Sequence, residues 1–168
     1  MASIGLCTEN EYRHIGELIN QSAPSNVLVF SLGHDSDAWA TLNPLGNTTF
    51  IEHDSKYIKL YSHLNVVPVE YSTTLTQWRY IINKVDRLRL NLPPYITNVE
   101  WDIIFIDGPQ GHSSNSPGRM QSIYTASTLT YNHILVHDCH RKVEQVYFNK
   151  YIGKPTTIVD TLYHYYNI

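Results

Sequence analysis

The chain has 168 residues, a net charge of −3 with neutral histidines, 42% hydrophobic and 16% charged residues. That is the length of one domain, enough to bury about 70% of the unfolded chain's surface without disulfides. The composition excludes a disordered chain, and the missing basic excess argues against a generic nucleic-acid binder.

The N-terminal stretch from Ser3 to Ile19 reads as a helix, with Thr8 and Glu11 in capping-box spacing and an apolar stripe of Ile15, Leu18 and Ile19. Pro24 stops it. The run from Val27 to Ser31 is continuous, β-branched and aromatic, as in a strand buried on both faces. A turn and a short helix through DAWATLNPLG follow. Thr48–Glu52 is a second strand, DSKYIKLYSHL a helix capped at Asp54 or Ser55, and Val66–Tyr71 a third strand that Pro68 marks as an edge. TLTQWRYIINKVDRL reads as one helix and LNLPPYITNVEW as a loop. Asp102–Asp107 is the strongest strand; then come a long Gly/Ser/Pro loop from Gly108 to Gly118, a helix in RMQSIYTASTLTY, a strand from His133 to Asp138, a helix in RKVEQVYFNKYI, and closing strands in TTIVDTLYHYYNI. Alternating strands and helices predict an α/β fold: a Rossmann-like, three-layer αβα sandwich with a mostly parallel sheet and an antiparallel C-terminal strand. One domain over 1–168 is expected, with 1–24 as an N-terminal helix or lid and 26–168 as the core.

In such sheets ligands bind beyond the carboxyl ends of the strands. Here those ends gather small, acidic and histidine residues: Gly33, His34, Asp35 and Ser36 after the first strand, Glu52 and His53 after the second, Asp107 and Gly108 after the fourth, and His137, Asp138 and His140 after the fifth. Glu52 stands about 20 positions beyond Gly33, where an acid can accept both hydroxyls of a ribose; the plain alternative is an acid at a helix N-terminus. With a single glycine in the first turn, a nucleoside without phosphates, such as S-adenosylmethionine, fits better than a dinucleotide. Asp107 and Asp138 each end an apolar strand. Two carboxylates converging there repel unless a cation joins them, so a divalent metal held by Asp107 and Asp138 with His140 is one expectation, and two helix-capping aspartates the other. His137 and His140 are alternatives for the third ligand or a base.

The stretches VFSLGHDSDAWATLN, TTFIEHD, VEYSTTLTQW, VEWDIIFIDGPQGHSSNSPGRMQSIYTA and VHDCHRKVEQVY occur in order from Asn26 to Tyr147. In these the chain resembles the glucuronoxylan 4-O-methyltransferase family of plants, which includes the irregular-xylem proteins. The resemblance implies an S-adenosylmethionine-dependent sugar O-methyltransferase assisted by a divalent metal cation, acting on a glycan or polysaccharide. It implies a first cofactor loop at Gly33, His34, Asp35 and Ser36, the acid Glu52, a fourth-strand motif at Asp107, Gly108, Pro109 and Gly111, and a fifth-strand motif at His137, Asp138, Arg141, Lys142 and Glu144. The chain departs from the family pattern at Gln110, where a basic residue is usual, and at His140, where an acid is usual.

The catalytic candidates are therefore Asp107, Asp138, His137 and His140. Cofactor candidates are Gly33, His34, Asp35, Ser36, Glu52, His53, Asp107 and Gly108. Substrate candidates are His112, Arg119, Arg141 and Lys142, the cations suiting an anionic sugar or else flanking helices. Trp39, Tyr71 and Trp78 read as core or as stacking platforms. A non-catalytic glycan-binding protein on the same fold is the alternative function; a nucleic-acid methyltransferase is disfavoured by the charge. No stretch reaches the ~18 apolar residues of a membrane span, and the N-terminus lacks the pattern of a signal peptide. With Cys7 and Cys139 read as free thiols rather than a disulfide, a cytoplasmic location without membrane or nucleic-acid partners is expected. The C-terminal tyrosines offer an edge for an oligomer.

Overall fold

The computed structural model describes residues 6–168. Five strands pair in parallel: β1 (Asn26–Phe30), β2 (Asn47–Glu52), β3 (Asn65–Pro68), β4 (Glu100–Ile106) and β5 (Thr130–Val136). β6 (Thr157–Val159) and β7 (Leu162–Tyr166) close the sheet antiparallel, β7 against β5. The order is β3-β2-β1-β4-β5-β7-β6, so strand order reverses between β1 and β4. This is the Rossmann-like α/β arrangement that the sequence predicts, and it opens a crevice above β1 and β4.

The period of two along the central strands sorts their side chains into two cores. Val27, Val29, Phe50, Ile103, Phe105 and Leu135 face one side, where they meet Ile15 and Ile19 of α1 (Glu9–Ser22) and Trp39 of α2 (Ser36–Thr41). Leu28, Phe30, Ile51, Ile104, Ile106 and Val136 face the other, against α7 (Met120–Ser127) and α8 (Lys142–Tyr151), which contribute Met120, Ile123, Tyr147 and Phe148. Each such side chain, fully buried, contributes roughly 1.5–3 kcal/mol, which makes the sheet a stiff platform for the loops at its end.

Thr8 closes the expected capping box: its hydroxyl accepts from the Glu11 N–H, and Glu11 accepts from the Thr8 N–H. The predicted start at Ser3 lies outside the described residues; among those described, residues 6–8 are not helical, because Thr8 is the extended N-cap and α1 begins at Glu9. α3 (Ser55–Leu60) is capped by Asp54. The single helix predicted over 74–88 is instead a 3₁₀ turn (Leu75–Gln77), α4 (Trp78–Ile81) and α5 (Val85–Leu88). The break falls at Asn83 and Lys84, where the Lys84 backbone is not helical. The predicted loop over 90–101 holds the short α6 (Pro94–Thr97), with proline at its first position, where no N–H is needed. β3 stops at Pro68, as an edge strand can. No helix among the described residues is long and apolar enough to cross a membrane.

Three imidazoles join α1 to the sheet. His14 Nε2 lies 3.0 Å from His164 Nδ1, and His164 Nε2 lies 3.0 Å from His133 Nδ1. Burial, then the neighbouring His133 and His14, push His164 down to about 4 from its ordinary 6.5. The folded protein therefore resists a proton that the unfolded chain accepts. The stabilisation is complete above pH 6.5 and is lost as pH falls towards 4. We predict that urea unfolding of His164→Gln, which keeps a donor and an acceptor without a titrating ring, shows on the order of 2 kcal/mol less acid destabilisation over this window than the parent.

Candidate active site

The site is assembled from the carboxyl ends of β1, β2, β4 and β5. After β1 the chain turns sharply, with Ser31 at φ 117°. The loop is tied to β2 by Glu52, whose Oε2 accepts from the Leu32 N–H at 2.8 Å, while Oε1 accepts from the N–H groups of His53 and Asp54 at 2.7 and 2.8 Å. Ser36 Oγ accepts from the Gly33 N–H at 2.9 Å. β4 presses on the same turn: a Cβ added to Gly108 would sit 2.6 Å from Ser31 Cβ, so no larger residue fits there. Two adjoining cavities result. One, of about 300 Å³, is lined by Gly33, His34, Asp35, Asp107, His112 and Arg141, among others. The other, of about 190 Å³, contains Glu52, His53 and Asp54 in its wall, and shares Ser31, Leu32, Tyr57 and Gln110 with the first.

Below the larger cavity lies a network of buried charge. Arg119 is 5% exposed. It donates to the carbonyls of Pro109, His137 and Asp107 at 3.1, 2.8 and 2.9 Å, and its Nη2 sits 2.9 Å from Asp138 Oδ2 and 3.6 Å from Asp107 Oδ1. Arg141 approaches the same Asp138 oxygen at 3.2 Å and Glu144 at 3.6 Å. Burial raises the Asp138 carboxyl, but Arg119, His137 and Arg141 more than offset it and hold it below the ordinary value. Glu144 is fully buried, with neither oxygen hydrogen-bonded. Burial pushes it up against the opposing pull of Arg119 and Arg141.

His137 sits between two carboxylates. Its Nδ1 is 2.9 Å from Asp107 Oδ1 and its Nε2 is 3.1 Å from Glu11 Oε2. Burial works against its charge, yet Asp107, Asp138 and Glu11 raise it above the ordinary histidine value. Glu11 is itself fully buried and also accepts from the backbone and hydroxyl of Thr161, each at 2.8 Å. Asp107 is different: 21% of its side chain is exposed, and it faces the cavity. Asp35 lies across from it, raised first by burial and then by the charge of Asp107.

The sequence profile of the IRX15/IRX15L/GXM family matches residues 10–165. The chain belongs to the IRX15/IRX15L/GXM family. Among its relatives in Arabidopsis thaliana, Protein IRX15-LIKE is 31% identical over 189 residues, covering 92% of this chain and 60% of the relative. Arabinogalactan O-methyltransferase 1 is 32% identical over 165 residues, covering 80% and 57%. Glucuronoxylan 4-O-methyltransferase 3 is 32% identical over 163 residues, covering 82% and 55%. The chain thus spans somewhat over half the length of these relatives. The match to the IRX15/IRX15L/GXM family takes in every strand end that builds the cleft.

Several predicted roles change once the side chains are placed. The proposed metal ligands Asp107, Asp138 and His140 do not form a set. His140 is exposed, and the cation that joins the two aspartates is the guanidinium of Arg119. Asp138 Oδ2 lies 2.9 and 3.2 Å from two arginines, though in neither case with hydrogen-bond geometry. Among the described residues, Cys7, Asp107 and His137 bring potential ligand atoms within 4.8 Å. Both nitrogens of His137 are engaged by Asp107 and Glu11, so a metal held by this set would have to displace one of those contacts. Arg119, predicted to touch substrate, is 5% exposed and reaches the wall of the larger cavity while its guanidinium is held by the strand ends. His137 is 2% exposed and orients Asp107 rather than meeting a ligand. Ser36 is buried under the loop. Gly33, His34, Asp35, Asp107, His112, Arg119, Asp138 and Arg141 line the larger cavity, and Glu52 and His53 the smaller, while Gly108 packs against Ser31. Lys142 is exposed at the start of α8. Cys7 and Cys139 are free and buried.

Glu11 is the residue the sequence reading missed as part of the site. Its capping-box spacing already explained it, and nothing local in sequence signals that the same carboxylate reaches β5. Arg119 yields a prediction. Arg119→Met strands a buried carboxylate and three carbonyls, and is expected to cost on the order of 3–5 kcal/mol in denaturant unfolding. Arg119→Lys recovers little, because a single ammonium cannot satisfy the forked set.

Proposed function

We propose that this chain transfers a methyl group from S-adenosylmethionine to a hydroxyl of a polysaccharide-borne sugar. The observation that carries the reading is the charge of the cleft wall: the carboxylates Asp35 and Asp107 line it together with Arg141, beside a turn organised by Glu52. The carboxylate pair suits a ligand bearing a cation, as the ammonium and sulfonium of this cofactor do, and the adjoining cavity at Glu52 and His53 suits its nucleoside. Relatives named as arabinogalactan and glucuronoxylan O-methyltransferases support the acceptor class.

When bound, S-adenosylmethionine supplies an activated methyl group. The chain's own residues orient the acceptor and remove a proton. Much of the advantage lies in alignment, because the hydroxyl oxygen must approach in line with the bond that breaks. Asp107 is the group placed to take the proton: it is the cavity-facing member of the Glu11–His137–Asp107 series. His137 Nδ1–H donates to its Oδ1, which leaves Oδ2 free to accept from a sugar hydroxyl. Arg141, at the cavity wall, is placed to meet an anionic sugar. No step is assigned to a metal.

One observation favours the alternative, a glycan-binding protein without catalysis: both oxygens of Glu52 already hold backbone N–H groups. Calorimetry with S-adenosylhomocysteine separates the two. The methyltransferase reading requires one-to-one binding, and a folded sample that takes up none rejects it. With labelled donor and glucuronoxylan or arabinogalactan, Asp107→Asn is expected to lower kcat by about 10²–10⁴-fold and to leave acceptor KM nearly unchanged.

A further inference from the structure

The cleft does not end at His53. That residue also lines an open cavity of about 680 Å³ beside the sheet edge, together with Glu70, Ser72, Gln121, Arg89 and Asn91. Arg89 and Asn91 are shared in turn with a cavity of about 480 Å³, lined by Asp86, Thr97, Thr125 and Thr128. The cavities therefore follow one another along the surface, from the acids of the cleft to the C-terminal end of α7.

Arg89 and Asn91 are displayed by a locally specified device. Leu88, Leu90 and Leu92 are buried, and the alternate residues Arg89 and Asn91 point outward from extended backbone. Thr125 of α7 pins this segment by accepting from the Leu90 N–H at 2.9 Å. The same stretch holds the main concentration of positive charge. Arg79, Lys84, Arg87 and Arg89 stand within eleven residues against one acid, Asp86, in a chain whose net charge is −3. Among the described residues none of the four makes an ion pair. Two are held instead by aromatic rings: Arg79 lies 4.9 Å from the Trp78 ring centre, and Lys84 lies 3.3 Å from that of Tyr80. Tyr80 and Tyr95 are 66% and 65% exposed.

We propose that this surface, with Arg89 and Asn91 in the cavity walls and Lys84 and Arg87 exposed on the adjoining segment, is a secondary binding surface for a uronate-bearing polysaccharide, continuous with the cleft. Guanidinium and amide groups pair with carboxylates and hydroxyls, and exposed tyrosines offer ring faces to sugars. Glu70 and Asp86 in the cavity walls accept hydroxyls but repel a dense polyanion, which favours a sparsely charged glycan over a nucleic acid. The proposal rests on the glycan-acceptor reading but does not require methyl transfer.

The test uses the full chain with glucuronate-bearing xylan, the same xylan stripped of uronate, and a single-stranded RNA of matched length. The parent protein is expected to bind the acidic xylan at least tenfold more tightly than the stripped one, with affinity falling as salt rises. The triple variant Lys84→Ala, Arg87→Ala, Arg89→Ala, altered only at exposed positions, should lose at least tenfold in this affinity. Its melting temperature and S-adenosylhomocysteine binding should stay at parental levels. Equal affinity of parent and variant for the acidic xylan, equal binding of the stripped xylan, or tighter binding of the RNA would each overturn the proposal. Failure of S-adenosylhomocysteine to bind the parent would reject the methyltransferase reading and leave the glycan measurement to stand by itself.

Discussion

The guanidinium of Arg119 is the constraint around which the carboxyl end of the sheet is arranged. Two strands deliver the aspartates Asp107 and Asp138 to neighbouring positions, and their charges oppose that placement. Arg119 sits between them, almost out of solvent, with its remaining donors on the carbonyls of Asp107, Pro109 and His137. It thereby neutralises the acids and fixes the backbone of two strand ends in one contact set. Isolated buried charge is costly, so such a network holds its geometry only if every member is present. The long loop from Gly108 to Gly118 follows from this need: it carries Arg119 back under the strand ends, and the Gly118 N–H donating to the Gln110 carbonyl closes it.

α1 is bound to the same network from the opposite core. Glu11 satisfies the helix N-terminus, the turn at Thr161 and His137 simultaneously. One turn further on, His14 joins the imidazole chain to β7 and β5. The helix is therefore fastened by polar contacts at its site end and by Ile15 and Ile19 beneath. Asp107, at the end of the Glu11–His137 pair, gains a fixed orientation without being buried itself. Its greater exposure distinguishes it from Asp138, which has the same strand-end origin and borders the same cavity but lies against two arginines.

On the proposed function, proton removal belongs to the cleft, where Asp35 and Asp107 stand with Arg141, while cations without ion pairs among the described residues gather along the segment from Arg79 to Arg89. A polymer bearing scattered carboxylates can meet both, with one sugar presented to Asp107 and others held away from the chemistry. Binding energy from such remote contacts contributes to orientation at the reacting centre.

Much of this was legible in the sequence. Continuous apolar runs such as DIIFID and HILVHD set the buried parallel strands, because only a strand covered on both faces tolerates them, and the acids following them marked where a ligand would sit. The Thr8 and Glu11 spacing set the start of α1. Local sequence did not decide which partner each polar side chain meets. Asp107 and Asp138 look alike as strand-end acids, Arg119 looks like a helix-flanking cation, and Glu11 looks like a cap. Their roles are set by long-range approach: β4 beside β5, the loop folded beneath them, and α1 laid over the opposite face. The burial energies behind that packing belong to many residues together, so only the tertiary structure could assign the joining cation to Arg119 and give the more exposed place at the cavity to Asp107.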